Sequence, residues 1–239
     1  MKPYLADRSP SLQRIVERQL RKWELEAQQR QGRPSRRPFL RDFVTISREA
    51  GSGGEYLAGE LGKRLGWKVY DRELLELMSE DESNRQHLYS TLDERQTNWI
   101  DGLLVLCAPE TMVLRNDYLR ALCRTVLTVA HHEHAIFVGR GAHLVLPPDV
   151  GLRLRIVARR EDRISTLAKE KGLELEEGER EARRLDAERQ AFMKKVFGGH
   201  GDELTDYDLA INMSRHSPEE ACDIILAALR QRAQERLSA

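Results

Sequence analysis

Four residues, Gly51, Ser52, Gly53 and Gly54, form a turn that can aim several backbone N–H groups at one anion. Glycine tolerates positive φ, and without a Cβ it lets a phosphate oxygen come close to the backbone. Arginines are placed as though to meet the same charge. Arg48 stands just before the turn, and Arg140 lies between Gly139 and Gly141. Clustered glycine and arginine of this kind fits a phosphorylated ligand. Arg183, Arg184, Asp186 and Arg189 lie in one charged stretch, where residues three or four apart usually make surface pairs.

The turn is held between two elements. Phe43, Val44, Thr45 and Ile46 are an apolar, β-branched run that predicts a strand, and Leu57, Leu61 and Leu65 at spacing four predict a helix. A helix starting at the turn adds the partial positive charge of its N-terminus. The spacing departs from the usual phosphate loop, G-x-x-x-x-G-K-[ST]. With Gly53 as its last glycine, the lysine position holds Gly54, the hydroxyl position holds Glu55 and the first glycine position holds Arg48. A glycine-rich strand-to-helix turn with no ligand fits the same residues.

The chain has 239 residues, 40% hydrophobic and 33% charged, enough for one large α/β domain or two small ones. No apolar run reaches membrane-spanning length, and MKPYLADRSPSLQ lacks an apolar signal core, so a cytoplasmic protein is expected. Cys107, Cys123 and Cys222 are far apart and read as reduced core thiols. Net charge is zero, but residues 1–41 hold 11 basic and 4 acidic side chains, which leaves −7 for the remainder. The whole chain lacks the basic excess of a dedicated nucleic-acid binder.

Leu12, Ile15, Val16, Leu20 and Trp23 predict an amphipathic helix over 11–28, followed by the basic linker QRQGRPSRRP. Its apolar stripe suits its own domain, a second copy of the chain or another protein. Strands are expected at 67–70, 135–138, 152–158 and 207–213 besides 43–46. Arg153 and Arg155 alternate with apolar residues and place the fourth strand nearer an edge. Asp71 opens a helix, residues 84–134 are mostly helical around Pro109 and Met112, Gly172 caps a helix, and residues 173–197 form another. Ser217, Pro218 and Glu220 mark a last helix start. His131, His132 and His134 with Glu133 have the chemistry of metal ligands, but a helix end or solvated turn is favoured. Strands alternating with helices give an α/β fold with a five-stranded parallel sheet covered on both faces. Such sheets bind ligands at their C-terminal strand ends, where the glycine turn, Asp71, Gly139–Arg140 and Arg159–Arg160 fall.

Taken in order, FVTISREAGSGGEYLA, KVYDRELL, IFVGRGAHLVL, LRIVARREDRI, LDAER and YDLAINMSRHSPEEA resemble the cytidylate kinase-like proteins, a branch of the nucleoside monophosphate kinases, over roughly 42–232. The resemblance implies a P-loop NTPase-type fold at 42–239, with a helical insertion at about 84–134 and a mobile lid at about 173–201. The helix and linker of 1–41 stand outside it. It implies ATP and Mg2+ as cofactors. Arg48, Gly51, Ser52, Gly53 and Gly54 would hold the ATP phosphates. Asp71, Arg140, Asp186 and Arg189 would hold a nucleoside monophosphate, CMP first. Arg183, Arg184 and Arg189 would neutralise the transferring group. A protein partner or a second copy would use residues 11–28.

Three positions depart from the family pattern. Gly54 replaces the lysine, Glu55 stands where this branch has an arginine, and Gly141 replaces the aspartate of GRD. They sustain a second expectation, a catalytically decayed kinase scaffold that binds a nucleotide or acts on a partner.

Overall fold

The computed structural model describes residues 10–29, 40–107, 117–201 and 203–238, with the side chains of 105–107 and 237–238 excepted. The basic linker at 30–39, Pro109 and Met112 lie outside the described residues, as do the side chains of Leu106 and Cys107. The chain forms two compact units.

One unit holds the described parts of residues 1–41 and 71–133. Helix α1 spans Pro10–Gln29. After it come α3 (Arg72–Glu80), α4 (Glu82–Ser90), α5 (Glu94–Cys107) and α6 (Asp117–His132). Val16, Leu20 and Trp23 of α1 are buried, and the helix packs on α3 and α4. Its apolar stripe is thus covered within its own unit. His131 and His132 do end a helix, but they are buried rather than solvated. The His132 ring stacks on Trp23 with centroids 4.8 Å apart, and its Nε2 lies 2.7 Å from Thr91 Oγ1. Asp71 caps α3 as its position predicts, accepting the Leu74 N–H at 2.9 Å. Cys123 is buried here, as an apolar helix face requires.

The other unit holds residues 42–70 and the described parts of 134–239. Its sheet runs β1 (Phe43–Arg48), β2 (Lys68–Tyr70), β3 (Ala135–Val138), β4 (Leu152–Val157) and β5 (Leu209–Asn212) in chain order. In space the order is β2-β3-β1-β4-β5, with every pairing parallel. Strand β1 is therefore central, and its register sets Ile46 beside Val138 and beside Leu154. Helices α2 (Gly54–Leu65), α7 (Ala142–Val145), α8 (Arg160–Lys171), α9 (Leu175–Phe197) and α10 (Pro218–Ser238) complete the unit. Val44, Ile46, Leu57, Leu61, Ile136, Leu154, Ile211 and Ile225 close one core. The predicted start of α10 holds: Ser217 Oγ accepts the Glu220 N–H at 3.2 Å, and Glu220 accepts the Ser217 N–H at 2.8 Å. Gly172 caps α8 with φ +64°.

The start of β5 differs from the sequence pattern, whereas β4 does lie nearer an edge, one place in, as its alternation predicts. Arg153 faces Asp208 and Arg155 lies over the Tyr207 ring. Strand β5 begins at Leu209 rather than Tyr207, since Leu204–Asp206 is a 3-10 turn and Asp208 is bound to the Arg153 N–H at 2.7 Å. None of the described helices is long and apolar enough to cross a membrane.

Candidate phosphate-binding site

The chain leaves the C-terminal end of central β1 at Arg48 and turns through Glu49–Gly53 into α2. Gly51 and Gly53 have φ of +73° and +78°, which side chains with a Cβ adopt only with strain. Gly51 also lacks room: a Cβ there would overlap the Arg163 carbonyl, because the turn lies directly on α8. At Gly53 a Cβ would meet nothing within 4 Å. That face is open, and Gly53 offers no side chain to cap α2. The first-turn N–H groups of α2 have no carbonyl four residues back, so they point at whatever lies beyond the turn.

The turn is tied from outside by α8 and α9. Ala50 donates its N–H to Asp186 Oδ1 at 2.8 Å, and its carbonyl accepts Arg163 Nε at 2.8 Å. Arg163 also hydrogen-bonds Asp186 Oδ2 and stands 3.5 Å from Glu49. Ala50, Leu167 and Ala182 bury a small apolar cluster beneath these bonds. Asp186 thus serves the loop, with one oxygen on its backbone and one on Arg163.

Arg48 turns across the end of the sheet. Its guanidinium fills the space that a Cβ on Gly139 would need, and its side chain is 11% exposed. Nη2 donates to Glu55 at 2.8 Å, and Arg189 Nη2 lies 3.5 Å from the same carboxylate oxygen. Partial desolvation raises the Glu55 carboxyl, but the hydrogen bond and charge of Arg48, with the charge of Arg189, outweigh it and hold it below its ordinary range. Burial and the charge of Arg48 bring Arg189 down to about 10, so it stays protonated at neutral pH.

Arg140 is the one non-glycine residue with positive φ, +55°, among the described residues. It lies between Gly139 and Gly141, both left-handed, and its guanidinium stacks on Phe192 of α9 at 4.2 Å. A Cβ on Gly141 would overlap the Phe197 ring. The glycine in place of the family aspartate therefore gives α9 its seat on this turn. Behind the turn, His143 Nδ1 is 3.2 Å from Ser47 Oγ and Nε2 is 3.1 Å from the Gly201 carbonyl. The Tyr207 hydroxyl donates to that carbonyl at 2.7 Å. Burial, partly offset by the Gly201 bond, lowers His143 to about 4 and keeps it neutral.

Of the residues singled out in the sequence, Arg48, Ser52, Asp186, Arg189 and the glycine turn come together here. Arg140 stands on the neighbouring strand end. Ser52 is buried and donates its hydroxyl to the Glu49 carbonyl at 2.8 Å. Arg183 and Arg184 are exposed on α9, in pairs with Glu179, Glu181 and Glu188. Asp71 caps α3. Arg159 donates its backbone N–H to Ser214 Oγ, and Arg160 pairs with Glu179. Arg163, Glu49, Phe192, Phe197 and His143 were missed. Glu49, His143 and Arg163 carried a local signal, their places in the runs FVTISREAGSGGEYLA, IFVGRGAHLVL and LRIVARREDRI, whereas Phe192 and Phe197 carried none.

A cavity of about 170 Å³ adjoins the turn, with Gly53, Tyr56, Asp162, Thr166, Met213 and His216 on its walls. No group of three His, Cys, Asp or Glu side chains among the described residues could hold a metal ion.

The chain is 25% identical to the cytidylate kinase of Methanopyrus kandleri over 190 residues, 78% of this chain and 92% of that protein. It is similar in fold to the crystal structure of an uncharacterized protein from Eubacterium ventriosum, with TM-score 0.62, 18% identity, and coverage of 80% of this chain and 99% of that one. The model of the cytidylate kinase-like family matches residues 43–215, which span β1, the glycine turn, the Gly139–Gly141 turn and β5. The chain belongs to the cytidylate kinase-like family.

Proposed function

We propose that this protein transfers the γ-phosphoryl group of ATP to a nucleoside monophosphate. The observation that carries the reading is the Arg48 guanidinium, held over Gly139 beside the open N-terminus of α2. It supplies, from the strand side, the cation that the absent phosphate-loop lysine would give. ATP carried with Mg2+ supplies the phosphoryl group when bound. Gly51, Ser52, Gly53 and Gly54 would receive its phosphates through backbone N–H groups. The adjoining cavity would take the donor nucleoside between Tyr56 and Met213. Arg189 would neutralise charge on the transferring group, and Arg140 would meet the acceptor phosphate. Asp186 would act by holding the loop and Arg163 in register. Arg183 and Arg184 would join only if α9 shifted enough to break their surface pairs. Family membership and the cytidylate kinase relative support CMP as the first acceptor.

A second reading is favoured by Glu55, which already pairs with Arg48 and Arg189. On it, the protein binds a nucleotide without turnover and acts on a partner, a second copy included. The two readings separate in a transfer assay with MgATP and a panel of CMP, dCMP, UMP, AMP and GMP. Transfer to one acceptor, lost in Arg140→Ala/Arg189→Ala, supports the kinase. Nucleotide binding with no transfer to any acceptor supports the second reading instead.

A further inference from the structure

One oxygen of Glu55 lies between two guanidiniums, 2.8 Å from Arg48 Nη2 and 3.5 Å from Arg189 Nη2. The residue sits in the first turn of α2, where a carboxylate also answers the positive helix end. Both attractions that would draw a phosphate to this turn therefore already act on a resident anion. Arg48 is not saturated by it: its Nε is buried and makes no hydrogen bond, while Arg189 Nη1 stands 3.6 Å from Asp186 Oδ1. Glu55 itself is largely exposed, with 67% of its side chain accessible, so it can leave without disturbing the core.

We propose that Glu55 is a resident counter-anion which an incoming phosphate displaces from Arg48 and Arg189, and that this makes the turn select a polyphosphate carried with a divalent cation over the bare polyphosphate. The inference rests on the reading of the turn as a phosphate site. A phosphate group that takes the two guanidiniums leaves the Glu55 carboxylate beside it, in the same helical turn, with its own cations removed. Two anions a few ångströms apart at a protein surface repel strongly enough to weaken binding about tenfold or more. A divalent cation on the polyphosphate cancels that repulsion and gives the freed carboxylate a new counter-charge. The carboxylate at this position thus couples anion affinity to the metal.

The test is calorimetric titration with inorganic pyrophosphate, alone and with Mg2+, of the wild type, Glu55→Gln and Arg48→Ala. Glutamine keeps the shape of Glu55 and removes its charge. Thermal midpoints report that each variant is folded. The expected result is that Glu55→Gln binds bare pyrophosphate about tenfold tighter than the wild type, with its preference for the magnesium form reduced by a similar factor. Arg48→Ala weakens both forms. If Glu55→Gln binds bare pyrophosphate no tighter than the wild type while Arg48→Ala still loses binding, the role of Glu55 is overturned and the phosphate site stands. If neither form binds the wild type, or Arg48→Ala changes nothing, the phosphate site falls and Glu55 with it.

Discussion

Asp186 Oδ1 accepts the backbone N–H of Ala50 at 2.8 Å, across 136 residues of sequence. The bond fastens the middle of α9 to the glycine turn of the candidate site. Asp186→Ala would leave both the Ala50 N–H and the Arg163 guanidinium without this acceptor. We expect a loss of about 1.5–3 kcal/mol in urea unfolding, the range for hydrogen bonds to charged groups. Amide exchange at residues 49–52 should rise more than exchange in β1. Asp186→Asn, which keeps one acceptor oxygen, should lose distinctly less. Unchanged exchange at the turn in Asp186→Ala would show that the tether is not what orders it.

Gly141 and Phe197 predict an asymmetry in any attempt to restore the family aspartate. Gly141 has φ +68°, and the Phe197 ring occupies the Cβ position. Gly141→Asp should therefore destabilise by about 1–2 kcal/mol from the backbone alone, and further from the displaced ring. In a double-mutant cycle, Phe197→Ala should absorb part of that cost, with a coupling of roughly 1 kcal/mol. Strictly additive losses would mean that the ring does not hold this glycine.

His143 gives the protein a pH signature. Its folded pKa of about 4 lies below the ordinary 6.5, mainly through burial, with the Gly201 bond and Asp206 opposing and Arg153 and Arg155 reinforcing. The unfolded chain then binds the extra proton between these values, so stability is full above about 6.5 and falls as pH drops towards 4. The slope attributable to His143 should approach one proton, about 1.4 kcal/mol per pH unit, in urea midpoints. His143→Gln should flatten the curve over that window, and parallel curves for the two proteins would contradict the assignment.

The parts of this molecule that are legible in sequence are those fixed by neighbours. Ala135–Val138 forms β3 as an apolar run should, and the Ser217–Glu220 capping box closes over three residues. The alternation of Arg153 and Arg155 is legible too, since β4 lies one place from the edge. Their partners Asp208 and Tyr207, more than fifty residues on, are not. The site divides in the same way. Gly51–Gly54 and Arg48 are visible as a local pattern, whereas the bond from Asp186 to Ala50, the ring of Phe197 on Gly141, and the Ser47–His143–Tyr207 group exist only after folding. The resemblance supplied the Asp186–Arg189 pair. It could not tell that Asp186 faces the loop, or that Arg183 and Arg184 are held in surface pairs.

The most direct measurement is transfer of the γ-phosphoryl group from MgATP to CMP by three proteins: wild type, Arg48→Ala, and Arg183→Ala/Arg184→Ala. If Arg48 replaces the phosphate-loop lysine, its loss should lower the rate by about two to three decades, as for other preorganised transition-state contacts. The surface pair should change it only a few-fold. A wild type that transfers no faster than Arg48→Ala, with any acceptor of the panel, would contradict the account.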